Sequence, residues 1–590
     1  MKRHSIARAA VTAGLTIAMS LGGALGPATM AFAATDDNTI TISNVQGNKT
    51  SFKGYEIFKA TVTDQKDDKG TVTGKNVSNI TWANDDVKAA VEGVIKLYDT
   101  DTDKYAGTTA QDAADWITAH VNGTNNKTVV ESDSVANKIA KAVDSLNINT
   151  TSVMGDQTST ALDPGYWLFV TDPNSVDNDS GKKNTETYTS PIFAVVGGST
   201  VAVTEKASIP TVEKKIVSDA DGKEYDAADS HVGQNVTYNI YGTVAQDFDT
   251  YDSYSYIFSD NVSKGLSVNA SSVKVYMYSN KDAAKKDLAR KSGTEVTSYF
   301  KSNLSTTANE DGSHDLTVTA KTSDGAKGLK SINVNGVKAT KDSCFVVTYT
   351  AQINADAVIG NEGNPNTVTL TYSNNPHSEG TGVTVPDKVR DFTYKLNLVK
   401  VDQGTEKALA GATFTIKVKS TDGDTDTAGK FVKSDGTLTS SEDEAKITTG
   451  TDGTISIKGL DAGTYEVREV SAPSGYSTVS DFTFQIKPTI DTDAQKITKL
   501  ENILTTTDGD HVKAGTLDPN STKGDNVLDI TENSGATDLN TVNITVGDKK
   551  SVGLPLTGQA GVTLTWVAGG LVLAFGVSRV VRNRRENDAE

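Results

Sequence analysis

Along most of this chain apolar and polar residues alternate in short runs, the period of a half-buried strand. TITISN and YEIFKATVT alternate near the start, and GYWLFV and PIFAVVG close the same region. Between them the period changes. Val87, Val91, Val94, Ile95 and Tyr98 fall on one helical face, as do Val135, Ile139, Val143 and Leu146. Helices set among strands predict an α+β first module, residues 34–205. From 206 to 390 strands dominate: NVTYNIYGTV, SYSYIFSD, SVKVYMY, DLTVTA, CFVVTYTAQI and NTVTLTYS, with DAAKKDLARK as a short helical interruption. Their spacing predicts a sandwich. From 391 to 550 the pattern repeats in YKLNLVKV, ATFTIKV, TYEVREV, FTFQIK and TVNITV. Prolines in ASIPTV and TVPDKV mark the boundaries near 206 and 390.

Two apolar stretches have a different cause. At the N-terminus Lys2, Arg3, His4 and Arg8 precede an apolar run, and Ala31-Phe32-Ala33 offers small residues to a signal peptidase. Residues 1–33 are expected to be a signal peptide, cleaved after Ala33 or one residue later. At the other end, residues 561–581 are long enough to cross about 30 Å of hydrocarbon. Arg579, Arg582, Arg584 and Arg585 should keep that end cytoplasmic. Everything between lies outside the membrane.

Composition narrows the function. The 590 residues suit three or four domains, and a net charge of −18 argues against nucleic acid as a partner. The single cysteine, Cys344, sits in a strand-like run and reads as a small core residue. An exported chain with one thiol closes no internal disulfide, so any covalent bracing uses another bond. No cofactor or metal is called for. Six histidines show no zinc spacing, and DGDTD at 422–426 lacks the glycine and the closing glutamate of a calcium loop. No phosphate loop or nucleophile elbow appears, so a turnover enzyme is not expected.

Two lysines break the strand pattern. In YKLNLVKVD, Tyr394, Leu396 and Leu398 share a face that Lys400 continues. In PTVEKKI, Lys214 lies between Val212 and Ile216, while Glu213 and Lys215 point the other way. A bare ammonium in a core is costly, and desolvation drives it toward the neutral, nucleophilic amine. Alternation alone leaves open a second arrangement, in which each face is solvated at a module edge.

Larger motifs place these lysines. LPLTG (Leu554, Pro555, Leu556, Thr557, Gly558), then the apolar span and the basic tail, resembles the cell-wall sorting signal of Gram-positive surface proteins, 554–590. The resemblance implies sortase cleavage between Thr557 and Gly558, with the acyl group passed to an amine. YEVREVSAPSGY at 465–476, downstream of LVKVD, is similar to the E-box of collagen-adhesin B-type (Cna-B) domains. IPTVEK, FSDNVSKGL and GNPNTVTLTYSN resemble the middle domain of Spa-type major pilins. The implied fold is mainly β, with tandem Ig-like and Cna-B-type sandwiches after an α+β domain.

Such domains form a Lys–Asn or Lys–Asp amide unaided, a buried carboxyl hydrogen-bonding the acceptor carbonyl and shuttling protons. For the middle module the resemblance implies Lys214 as nucleophile, Asp260 as acid and Asn366 as acceptor. For the third it implies Lys400 and Glu469. The acceptor expected there is Asp548, which continues the face of Val542, Ile544 and Val546; Asn502 and Asn543 are alternatives. A pilus subunit also needs an acceptor lysine. VAVTEK partly matches the pilin motif and puts Lys206 in that place, with Lys214 and Lys215 as alternatives. The implied partners are pilin-specific and housekeeping sortases, further copies of this chain, peptidoglycan, minor pilins, and host matrix or glycans. The implied location is the cell wall and surface fimbria. A monomeric wall-anchored adhesin is the alternative reading.

Overall fold

The computed structural model describes residues 37–551, apart from 46, 99–104, 122–129, 178–185, 323–327, 422–425, 508–510, 515–526 and 529–540. The expected leader 1–33, most of the DGDTD turn, and the LPLTG signal with its span at 561–581 lie outside the described residues. Among the described residues no helix is long and apolar enough to cross a membrane.

The first core is built on a five-stranded sheet ordered Val72–Trp82, Ser51–Lys66, Gly165–Thr171 and Ile192–Val196, with Thr151–Met154 beside Ser51–Lys66. Helices Asp85–Leu97, Ala110–Val121 and Val135–Asp144 pack on one face, around Tyr55, Ile57 and Leu168. The other face carries Phe52, Trp167 and Phe169 against a two-stranded parallel ribbon of Ile40–Ser43 and Val201–Thr204. Gly165–Thr171 is buried at every position because both faces of its sheet are covered. Two helices match the sequence pattern and start on side-chain caps, Asn84 accepting from Val87 N–H and Ser134 from Asn137 N–H. The helix Ala110–Val121 was not legible, because much of its buried face is alanine: Ala110, Ala113 and Ala114.

The middle strands form two facing sheets over one core rich in tyrosine, phenylalanine and valine. Val212–Val217, Asn235–Thr243 and Cys344–Ile353 belong to a six-stranded sheet. Tyr256–Val262 and Asn364–Ser373 are neighbours in a seven-stranded sheet. DAAKKDLARK is helical only over Lys281–Lys286. Asp387–Phe392 pairs with Asn364–Ser373 and runs through the expected boundary at 390. Phe392, with Ala227, packs into the next core. The two bodies also meet where Val232 N–H donates to Gly459 C=O at 2.9 Å. Gly459 has φ 84°, and a Cβ there would stand 2.1 Å from Val232 Cγ2, so only glycine fits.

The third core lies between a four-stranded and an eight-stranded sheet. The four-stranded sheet contains Thr454–Leu460, Tyr394–Asp402, Thr541–Asp548 and Val512–Ala514. Tyr394–Asp402 and Thr541–Asp548 are parallel neighbours, in register from Lys395 opposite Thr541 to Asp402 opposite Asp548. Cys344 is buried in the middle body, where burial pushes its thiol up to about 12 and leaves it unreactive.

Candidate functional site

The pleat aims Lys214 into the middle sandwich. Its strand alternates, with Lys214 and Ile216 inward, and the lysine is 0% exposed. Lys214 Nζ donates to Asp260 Oδ1 and Oδ2, both at 2.5 Å, and to the Tyr349 hydroxyl at 3.0 Å. Asp260 comes from the opposite sheet, on Tyr256–Val262. Asn366 stands on the neighbouring strand of that sheet, opposite Val262, and is also fully buried. Burial pulls Lys214 down to about 8, against the opposing charge of Asp260.

The expected direct hydrogen bond between the acid and the acceptor amide is not made. The Tyr349 hydroxyl stands between them, donating to Asp260 Oδ2 at 2.6 Å and accepting from Asn366 Nδ2 at 2.6 Å. Asn366 Oδ1 has no hydrogen-bond partner, although it is buried. Tyr349 escaped the sequence reading because it alternates with Phe345, Val347 and Ala351 and so looks like plain core.

The third site is built by the same pleat on a different pair of strands. Lys400 is 0% exposed, inward with Leu396 and Leu398. Its Nζ donates to Glu469 Oε2 at 3.0 Å and to Asp548 Oδ1. Lys400 and Asp548 lie on parallel neighbours, Lys400 opposite Val546, so the two side chains are diagonal on one face. Glu469 reaches in from the other sheet, and its Oε2 also accepts from Val479 N–H at 2.9 Å. Burial pushes the Asp548 carboxyl up to about 6, and the adjacent Glu469 adds to the rise. Glu469 Oε1 and Asp548 Oδ2 are buried without a hydrogen-bond partner. The other two acceptor candidates sit elsewhere. Asn543 faces outward and accepts from Asn397 Nδ2 at 3.3 Å, and Asn502 is opposite Ile486 in the eight-stranded sheet.

Residues 394–513 match the SpaA family, described as a prealbumin-like fold domain. This stretch is similar to a SpaA prealbumin-like domain. The matched stretch contains Lys400 and Glu469 and stops before Asp548. The chain is also 28% identical over 144 residues to the trypsin-resistant surface T6 protein of Streptococcus pyogenes serotype M6. That match covers 22% of this chain and 23% of the relative, so the chain spans about a quarter of that relative's length. The solved T6 backbone pilin of S. pyogenes serotype M6 overlays with a TM-score of 0.46 at 17% identity, covering 88% of this chain and all (100%) of that one. The major pilin SpaD of Corynebacterium diphtheriae gives a TM-score of 0.41 at 14% identity, covering 89% and 100%.

Outside the matched stretch, Lys206 follows the strand Val201–Thr204. Its side chain is half-buried, and burial pulls the amine below the usual lysine range. Its backbone is held on both sides: Lys206 N–H donates to Thr189 Oγ1 at 2.8 Å, and Ser190 N–H donates to Lys206 C=O at 3.0 Å. The preceding Glu205 is buried. Its Oε1 accepts from Val45 N–H at 2.8 Å and Asn48 Nδ2 at 2.6 Å. Lys215 is ion-paired with Asp226 at 2.6 Å.

A further buried lysine, Lys75, was missed by sequence. Its Nζ donates to Asp64 Oδ1 at 2.6 Å and to the carbonyls of Gly197 and Ser199, both at 2.7 Å. These acceptors saturate an ammonium, and no side-chain amide is among them. The contrast separates a lysine satisfied in place from the two set against an acid and a second carbonyl group.

Proposed function

We propose that this chain is the major structural subunit of a sortase-assembled, wall-anchored pilus, braced by amides from Lys214 to Asn366 and from Lys400 to Asp548. In this reading the modules are 34–205, 206–390 and 391–550. Thr557 of one copy is joined to Lys206 of the next, and the base of the fibre is linked to peptidoglycan. Asp260 and Glu469 serve as the proton-shuttling acids. The similar proteins include backbone and major pilins. One observation supports the bracing most: each wholly buried amine touches a buried acid, with a carbonyl group close by whose oxygen lacks a partner. A buried charge pair alone is a poor stabiliser, because desolvation offsets its attraction. Condensation turns each buried ammonium into a neutral amide and so removes its charge. The reaction runs once per chain, so the subunit is not a turnover enzyme.

Intact mass tests the bracing. The secreted chain is expected to weigh one ammonia plus one water less than its sequence; an undiminished mass would refute self-bonding.

The two bonds should also respond oppositely to pH while they form. The middle reaction needs neutral Lys214, lowered to about 8, so its rate should climb as the pH rises from 6 toward about 8. The third needs protonated Asp548, raised to about 6, so its rate should fall as the pH rises through about 6. Time-resolved mass spectrometry of newly folded chain reads both losses in one sample. Parallel pH trends would contradict the assignment of the two acceptors.

A further inference from the structure

Amide exchange at Asn366 poses two proton problems. The attacking amine must shed a proton, and the departing nitrogen must gain one before it leaves as ammonia. Asp260 touches the first nitrogen at 2.5 Å but makes no hydrogen bond to Asn366. The Tyr349 hydroxyl touches both nitrogens and the acid: Lys214 Nζ at 3.0 Å, Asn366 Nδ2 at 2.6 Å and Asp260 Oδ2 at 2.6 Å. The third site has no such gap. There the leaving group is the hydroxyl of the Asp548 carboxyl, and Lys400 Nζ itself bridges that carboxyl and the acid Glu469, with no side chain between.

We propose that Tyr349 is a catalytic residue of the self-reaction, a relay that carries a proton from Asp260 to the departing nitrogen of Asn366. The proposal rests on the Lys214–Asn366 bond of the preceding reading. The step starts from neutral Lys214 and protonated Asp260. Nζ bonds to Asn366 Cγ, and the carbonyl electron pair moves to Oδ1. In that tetrahedral state Nδ2 gains a free lone pair, and the phenol hydrogen, which faces Asp260 beforehand, turns to it; Asp260 then passes its proton to the phenol oxygen as the phenol passes its own to Nδ2. Asp260 then takes the extra proton from Nζ. The Cγ–Nδ2 bond breaks with its electron pair on nitrogen, the carbonyl re-forms, and ammonia leaves. Asp260 and Tyr349 end as they began, and nothing is oxidised or reduced.

The surroundings suit a relay. Tyr349 is 1% exposed, and its ring stacks on Tyr238 with centroids 5.4 Å apart, which fixes the hydroxyl. Burial holds the phenol well above its usual range, so it keeps the proton that it must hand on.

The test is the full chain with Tyr349→Phe, sampled by mass at intervals after a pulse of synthesis. Loss of ammonia from the middle module should slow by about a hundredfold, the ordinary size of a lost general acid. Loss of water from the third module should keep its rate, which reports that the chain still folds. Should Tyr349→Phe disturb the middle module itself, a chain carrying 3-fluorotyrosine at 349 keeps the shape and makes the phenol more acidic. Its ammonia loss should change in rate and in solvent isotope effect, responses that a packing role would not give. An unchanged rate in either variant overturns the relay while leaving the bond intact. Wild-type chain that never loses ammonia overturns the bond itself, and the relay with it.

Discussion

Replacing Lys206 with alanine should collapse the high-molecular-weight ladder of a wall extract, on a denaturing gel, to a single monomer band. The effect is all-or-none because the local alternatives are occupied. Lys214 is wholly buried at the middle site, and Lys215 is ion-paired with Asp226. Lys206 alone of the three combines a partly exposed side chain with an amine that burial makes easier to deprotonate. Its backbone is held by Thr189 and Ser190, so little conformational freedom remains to be lost when another chain is joined there. A ladder that survives Lys206→Ala places the acceptor on another lysine. A single band from wild type as well would favour the monomeric adhesin.

The second large effect is on stability. Asn366→Ala removes the acceptor but leaves the Lys214–Asp260 pair in place, so it reports the bond with little added charge imbalance. The proposed tie would join two sheets and close a long loop. By analogy with a disulfide over a loop of that order, its loss costs about 5 kcal/mol. For a module of this size that is about 10–20 °C in melting temperature. Lys214→Ala should cost more, by about 3–5 kcal/mol, because it also leaves Asp260 buried without its cation. Calorimetry on the secreted chains measures both. If Asn366→Ala melts within a degree or two of wild type, the amide is not there to be lost.

Much of this arrangement was legible in strand alternation. A period of two fixes which side chains enter a core, and it put Lys214 and Lys400 on inward faces before any fold was known. It also carried the line of Val542, Ile544 and Val546 on to Asp548, with Asn502 and Asn543 kept as alternatives. What alternation cannot show is which opposing strand supplies the partner, since that depends on sheet-to-sheet packing. Asp260 and Glu469 came instead from resemblance. Tyr349 stayed hidden because a tyrosine that packs its ring and one that works through its hydroxyl occupy the same kind of position. Lys75 stayed hidden because the carbonyls that satisfy it belong to a turn over a hundred residues away. The helix Ala110–Val121 was lost because alanine writes a faint periodic signal.

The first and last strands of the third body lie side by side, with Lys400 and Asp548 near their C-terminal ends. Once those two residues are joined, everything from 401 to 547 becomes part of a closed ring. A protease that cuts one peptide bond anywhere in that ring would open a circle without parting the chain, because the two fragments stay attached through the side chains. Damage to the prealbumin-like domain would then be survivable in a way that a cut in the connection around Lys206 would not be.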